Sequence, residues 1–250
     1  TATDRVGFHR YEYPHDKSSH ILFDLGTELG PCEMSDCFAE MASPTRMTGF
    51  VEASATRRRP KATRIHFVVD FDRPVDAFGG WMDGNLHEEL PSVSGKESGA
   101  FVRFDTWASN IVQMKVAISY CSVDGAIRNL EAELPHWDFD RVRLEAKQAW
   151  NSWLGRIQVS GGTPDQKTKF YTDLYHAILG RRRISDVDGA YSDQTGPEQI
   201  VRHIPRGDDG TQAYEHHNSD AFWGSQWTLN VLWSLAYPDI VSNFCNTLID

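Results

Sequence analysis

Residues 112–154, VQMKVAISYCSVDGAIRNLEAELPHWDFDRVRLEAKQAWNSWL, change their hydrophobic period part-way, and that change decides the fold. Val112, Met114, Val116, Ile118 and Tyr120 alternate with Gln113, Lys115, Ala117 and Ser119. A two-residue period is that of a strand with one buried face. Between Asp138 and Leu154 the apolar positions are Val142, Leu144, Ala146, Ala149, Trp150, Trp153 and Leu154, mostly at helical intervals, and Gly155 is a stop. The chain therefore passes from β to α near Leu134–Asp138, where Pro135 interrupts it.

Upstream the strand period recurs. Ile65, Phe67, Val69 and Phe71 are the apolar positions of Arg64–Phe71, and shorter candidates are Val6–Tyr13, His20–Leu25, Met47–Glu52 and Ala100–Phe104. Gly, Pro, Asp and Ser clusters separate them, the pattern of an antiparallel sandwich. Downstream, Thr163-Pro164-Asp165-Gln166 supplies an N-cap, a proline at the first helical position and a glutamine three residues on, close to a capping box. The helix it opens carries Phe170, Leu174, Ala177 and Ile178 on one face and stops at Gly180. Residues 181–214 are loop-rich, helix resumes from about Ser219, and Pro238 begins another. The fold class is α+β with two domains: a sandwich over 1–134, a linker helix over 135–160 and a helical domain over 161–250. The last helix is still running at Asp250, which gives the expectation of a piece of a longer protein.

Hydrophobic residues make up 40% of the 250, with no apolar run near the roughly 18–20 residues of a membrane span, so a soluble protein is expected. A net charge of −10 argues against nucleic acid and acidic membranes as partners, because phosphates would be repelled. Arg57–Arg59 and Arg181–Arg183 are local exceptions, read as solvated or structural loop charges. Four cysteines are too few for a disulfide framework. Cys32 and Cys37 could bridge a loop in an oxidising compartment, whereas Cys121 and Cys245 read as buried thiols. The chain opens on Thr1 without a charged-then-apolar leader, so a signal peptide is either absent or already removed.

Few motifs carry chemistry. Glu215, His216 and His217 are neighbours, with Asp220 beyond, but adjacent histidines point apart on most backbones. His217 and Asp220 alone have a metal-pair spacing, and zinc needs three protein ligands. A polar loop leading into a helix capped by Ser219 or Asp220 is the alternative. Asp186, Asp188 and Asp193 lie in SDVDGAYSDQTG, which imitates part of a calcium loop but lacks its twelfth-position Glu. A turn with Gly189 at positive φ explains it equally well. No GxSxG, GxGxxG or P-loop is present. The aromatic stretch HHNSDAFWGSQWTLNVLWSL, 216–235, remains. On a helix from about Ser219, Trp223 and Trp227 are i, i+4, with Asp220 and Gln226 alongside, while Trp233 joins the leucines as core. Indole faces beside amide and carboxylate groups suit a sugar, whose CH faces stack while its hydroxyls bond. Trp223, Trp227, Gln226 and Asp220 are the candidate substrate-binding residues, and core packing is the alternative for both indoles.

Phe170-Tyr171-Thr172-Asp173-Leu174-Tyr175-His176, followed by Ser185-Asp186-Val187-Asp188-Gly189-Ala190-Tyr191, resembles a pattern of glycoside hydrolase family 92. KVAISYCSVDGAIRNLEAELPHWDFDRV, followed by AWNSWLGRIQVSGG, is similar to that family's domain junction, so the resemblance runs over about residues 62–250. It implies an exo-acting, inverting, calcium-dependent α-mannosidase acting on mannose-containing glycans. It also implies a sandwich joined by helices to an (α/α)6 toroid, with only the first toroid helices in this chain, and a secreted or periplasmic location. Where family members read S-L-W-D-T-x-R-T-L-H-P-L, residues 221–232 read AFWGSQWTLNVL. Trp223 is kept, but Gly224 and Trp227 replace the Asp and Arg that bind the terminal mannose, which implies a different ligand or aglycone. The family's acid, base and most calcium ligands are expected after Asp250, so no catalytic and no metal residue is assigned here. The competing readings are a non-catalytic carbohydrate-binding protein using the tryptophan platform, and a purely structural α+β domain.

Overall fold

The structure is a computed structural model that describes residues 1–28, 32–57, 60–180, 182–196, 198–218 and 222–249, without the side chains of Phe222 and Trp223. Antiparallel sheets come first and helices after, an α+β fold. The strands are β1 (Val6–Glu12), β2 (Ser19–Asp24), β3 (Met34–Ser43), β4 (Arg46–Ala53), β5 (Thr63–Phe71), β6 (Ala77–Met82), β7 (Asn85–His87), β8 (Ser92–Ser94), β9 (Gly99–Phe104) and β10 (Ile111–Ser119). They form a six-stranded sheet, β1-β10-β5-β4-β3-β8, and a four-stranded sheet, β2-β9-β6-β7. Ile21, Phe78, Val102 and Phe104 of the smaller sheet share one core with Cys37, Met47, Phe67, Val69, Phe71 and Met114 of the larger. That shared core makes the two sheets a sandwich.

The strands read from alternation are all present, within a residue or two of their expected ends. The chain also folds β3, β6, β7 and β8, whose sequences lack a clean two-residue period. β6 runs Ala77-Phe78-Gly79-Gly80-Trp81-Met82, where two glycines blur the pattern.

One expected face is corrected. Alternation implies one buried face for β10, yet Lys115, Ala117 and Ser119, which alternate with its apolar positions, are all buried. Helix α1 (Val123–Glu133) packs on β10 and β5 there. Ser122 caps it, accepting from the Gly125 N–H at 2.9 Å, and Asp124 sits in its first turn, favourable at a helix N-terminus. Its buried residues are Gly125, Ala126, Asn129 and Leu130, a contact face of small side chains that produces little hydrophobic signal. Lys115 donates from Nζ to the Leu134 carbonyl at 3.0 Å, and its ammonium lies 3.9 Å from the centre of the Trp137 ring. Burial pushes the Lys115 ammonium pKa down, and Asp70 on the paired strand opposes that. At the start of the chain, Glu133 accepts from Thr3 Oγ1 at 2.5 Å, from the Arg5 N–H at 2.9 Å and from Arg5 Nη1 at 2.6 Å.

The thiol expectations change as well. Cys32 and Cys37 are both free, each sulfur turned to a different carbonyl, Ser54 at 3.3 Å and Gly95 at 3.1 Å. Burial, with Asp36 adding to it, pushes the Cys37 thiol up to about 11, which keeps it protonated and unreactive. Cys121 is only half-buried and Cys245 is exposed, so neither is the buried thiol expected.

The chain divides into two compact units, Thr1–Phe139 with Ser192–Val201, and Asp140–Tyr191 with Arg202–Asp250. The second holds most of α2 (Phe139–Leu154), then α3 (Pro164–Ile178), α4 (Phe222–Ser225), α5 (Leu229–Ala236) and α6 (Pro238–Ile249). The capping box of α3 forms as its sequence requires: Thr163 Oγ1 accepts from the Gln166 N–H at 3.3 Å while Gln166 Oε1 accepts from the Thr163 N–H at 2.9 Å. Leu174, Ile178, Trp233, Tyr237 and Ile240 form the buried centre of this unit, flanked by Trp153, Leu154 and Phe170. A short hairpin, β11 (Ala190–Asp193) and β12 (Ile200–His203), lies between α3 and α4.

Candidate functional site

Two places in the second unit hold the residues singled out from sequence. The first is the aromatic stretch. A continuous helix from about Ser219 does not form: α4 ends at Ser225, residues 226–228 are a turn, and α5 starts at Leu229. The reason is local. Gly224 is a poor helix former, and Ser225 Oγ bonds to Asn230 Oδ1 at 2.9 Å across the break. Trp223 and Trp227 are therefore not an i, i+4 pair on one helix. Trp227 stands in the turn, 73% exposed, with Gln226 exposed beside it. The Trp223 backbone lies in α4, its side chain is outside the described residues, and so is all of Asp220. Of the four candidates, Gln226 and Trp227 are those whose side chains the structure describes, adjacent and exposed in the turn. Trp233 is buried, as its place among the leucines required.

The second place is the loop before the aromatic stretch, where segments 182–184 and 216–218 run antiparallel. The Ile184 N–H donates to the His216 carbonyl at 2.9 Å and the Asn218 N–H to the Arg182 carbonyl at 2.9 Å. Extended backbone sends alternate side chains to opposite sides. Glu215 and His217 accordingly share one side, and His216 takes the other, stacked on Tyr191 at 4.1 Å between ring centres with 15° between planes. Arg183 pairs with Glu215, and His217 Nε2 lies 3.7 Å from the second carboxylate oxygen. His217 and then Arg183 hold the Glu215 carboxyl down at about 2, against burial that would raise it. A carboxyl so placed stays ionised and is no proton donor near neutrality. Its neighbours were legible as residue types, but the role of Arg183 was missed. The signal for it was the i, i+2 spacing of Glu215 and His217 in a non-helical segment.

The Asp-x-Asp-Gly loop is a turn. Gly189 has φ +88°, its N–H donates to the Asp186 carbonyl at 2.9 Å, and Asp188 Oδ1 accepts from the Ala190 N–H at 3.0 Å. Among the described residues no three His, Cys, Asp or Glu side chains converge as a metal site. Calcium takes about six to eight oxygen ligands, and no group of three carboxylates among the described residues begins such a shell.

The depressed Glu215 carboxyl has a stability consequence. A carboxyl whose folded pKa lies below its ordinary 4.5 stabilises the fold above that value, and the benefit is lost as pH falls towards about 2. Glu215→Gln is expected to melt well below wild type at pH 7 and close to it near pH 2, read by thermal scans across that range. An equal deficit at both ends would show that Glu215 acts by packing rather than by charge.

Two family models match in order along the chain: the glycosyl hydrolase family 92 N-terminal domain over residues 1–119 and the family 92 catalytic domain over residues 125–250. The chain belongs to glycosyl hydrolase family 92. Among solved structures, it superimposes on the family GH92 alpha-mannosidase BT3965 from Bacteroides thetaiotaomicron with a TM-score of 0.83 at 21% identity, covering 99% of this chain and 32% of that one. The inverting mannosidase BT2199 from the same organism gives 0.80 at 20% identity, covering 100% and 32%. A curated relative named "Uncharacterized secreted glycosidase", from Arthroderma benhamiae, is 33% identical over 90 residues, 33% of this chain and 12% of that protein. The chain thus spans about a third of the length of these structural neighbours. At such identities the neighbours establish the fold, and the family models establish membership of a glycoside hydrolase family.

Proposed function

We propose that this chain is part of an exo-acting, inverting α-mannosidase-like glycoside hydrolase that acts on mannose-containing glycans outside the cell or in the periplasm. The observation that carries this reading is the ordered match of the N-terminal and catalytic family models over nearly the whole chain. The mannosidase structures, one of them solved in complex with mannoimidazole, and the relative named a secreted glycosidase support the substrate class and the location. No described helix is long and apolar enough to cross a membrane. In the same reading 1–134 is the sandwich domain, 135–160 the linker helix, and 161–250 the start of an (α/α)6 toroid. Calcium enters through the family resemblance alone. The test is the anomer released by the whole protein from an α-mannoside, followed by NMR before mutarotation. β-Mannose first, and loss of turnover in a calcium chelator, are expected. α-Mannose first would exclude inversion, and no turnover on any α-mannoside would exclude the activity.

No catalytic residue is assigned within 1–250. Inversion needs two carboxyls about 6.5–9.5 Å apart with room for a water, one of them protonated before the reaction. Glu215, held ionised by His217 and Arg183 beside it, is unsuited to be the acid.

Trp227 and Gln226 are proposed to contact the glycan, with Trp223 and Asp220 as further candidates. The 73% exposure of Trp227 favours a surface role over core packing, and it equally suits the runner-up, a carbohydrate-binding protein without hydrolysis. Trp227→Ala in the whole protein is expected to raise KM several-fold, about 1 kcal/mol for a lost aromatic contact, with melting unchanged. A large drop in melting temperature with unchanged kinetics would make Trp227 a packing residue.

A further inference from the structure

The outer face of the four-stranded sheet carries an aromatic platform unrelated to the 216–235 stretch. On β9, Ala100, Val102 and Phe104 point into the core, so Gly99, Phe101 and Arg103 point outward. Cross-strand pairing then sets the outward rows. One is Asp24, Gly99, Trp81 and Leu86; the next is Leu22, Phe101 and Gly79; the third is His20, Arg103 and Ala77.

The first row has no side chain at its second position, and the Trp81 indole fills the gap. A Cβ added at Gly99 would meet Trp81 Cζ2 at 2.0 Å, Cη2 at 2.5 Å and Cε2 at 2.6 Å. The two flanking ring atoms are barely farther than the central one, so the ring turns its face, not its edge, to the strand. One indole face rests on the Gly99 backbone and the other looks away from the sheet. Above Gly79 a Cβ would meet Phe101 Cζ and the His87 carbonyl oxygen, each at 2.4 Å, and the Glu88 carbonyl oxygen at 2.7 Å, so the 87–88 backbone covers that part of the face, and His20 packs edge-on against Phe101 at 5.5 Å. Phe101 is thereby closed off, whereas Trp81 is only half-buried. Leu22 and Leu86 flank the face at 67% and 69% exposure.

We propose that this face is a second glycan-binding surface, in which Trp81 stacks on the CH face of a pyranose and exposed Asp24, across Gly99 in the same row, accepts a hydroxyl hydrogen bond. The proposal rests on the reading that the protein works on glycans. Its chemistry favours a sugar over a protein partner. The centre of a protein–protein interface is depleted of charge, whereas here a carboxylate borders the indole and His20 and Arg103 lie two rows away. Sugar rings need that mixture: an apolar plate to cover their C–H bonds and charged groups around it for their hydroxyls. The glycines are part of the device, since any side chain at 99 would lift the indole off the sheet.

The experiment is electrophoresis of the whole protein through native gels containing a branched α-mannan, a β-glucan or a xylan, with hydrolysis of a small aryl α-mannoside measured in parallel. Wild type is expected to be retarded by at least one polysaccharide. Trp81→Ala should weaken that binding by about 5- to 10-fold, a lost aromatic contact, and Trp81→Phe should restore part of it. Leu86→Glu, at an exposed position, should also weaken it without altering melting, and it decides the matter if Trp81→Ala melts early. Asp24→Ala should weaken it too, with a small melting loss because Asp24 Oδ1 also accepts from the Thr27 N–H at 3.0 Å. Aryl mannoside turnover should be the same in all four variants. Retardation of folded variants equal to wild type, or no retardation of wild type in any gel, overturns the surface. Trp81-dependent retardation without mannoside turnover would sink the mannosidase reading and leave the surface standing.

Discussion

Replacing Lys115 by Met is expected to cost about 3 kcal/mol of sandwich stability, read as a fall in denaturant midpoint followed by tryptophan fluorescence. The residue is 3% exposed on a face that α1 covers. Replacing a buried ionic group with an apolar one can be harmless when its partners leave with it. Here only one partner leaves. The Leu134 carbonyl, bonded to Nζ at 3.0 Å, would stay buried without its donor, a loss of about 1–3 kcal/mol. The ammonium over the Trp137 ring adds up to about 2 kcal/mol when desolvated. Methionine keeps most of the volume, so the loss reports the polar contacts and not a cavity. Lys147→Met on exposed α2 is the control, expected within about 0.5 kcal/mol of wild type. If Lys115→Met were as stable as wild type, the buried ammonium would be merely tolerated.

Lys115 also shows where sequence reasoning stopped. Alternation located β10 and β5 to within a residue, because their inner faces carry large apolar side chains at every second position. It misassigned the other face of β10 because the covering element, α1, buries Gly125, Ala126 and Asn129 with one leucine. A lysine, an alanine and a serine beneath such a helix look like solvated positions. The α3 capping box was fully legible, since its hydrogen bonds lie within four residues of each other. The aromatic stretch was legible in composition but not in conformation. The i, i+4 spacing of Trp223 and Trp227 suggested one helix, and the Ser225–Asn230 bond with Gly224 made it two. The contact of Arg183 with Glu215 joins positions far apart in sequence, and only the antiparallel pairing of 182–184 with 216–218 brings them together. The family resemblance reached the fold because it rests on ordered local patterns.

The helical unit should depend most on Tyr237, and the Trp227 substitution gives the scale for that dependence. Tyr237 is fully buried, stacked on Trp153 at 5.4 Å with 16° between planes, and its hydroxyl donates to the Trp153 carbonyl at 3.1 Å. The Arg156 guanidinium lies over both rings, 4.7 Å from Trp153 and 5.1 Å from Tyr237, and is anchored to Asp239 at 2.7 Å. This is where α2, α5 and α6 meet, so Tyr237→Ala removes the shared surface of three elements. A loss of about 3–5 kcal/mol is expected, the range for deleting a large buried side chain, seen as early melting of the helical unit. Tyr237→Phe keeps the ring and forfeits the hydroxyl bond, at a cost of about 1 kcal/mol. The ordering Tyr237→Ala far below Tyr237→Phe, with Trp227→Ala near wild type, follows from burial alone: two aromatic residues ten positions apart, one closed in and one in water. Should Trp227→Ala melt as early as Tyr237→Ala, the exposed turn would be packed in the working protein, and its place as a sugar platform would be lost with it.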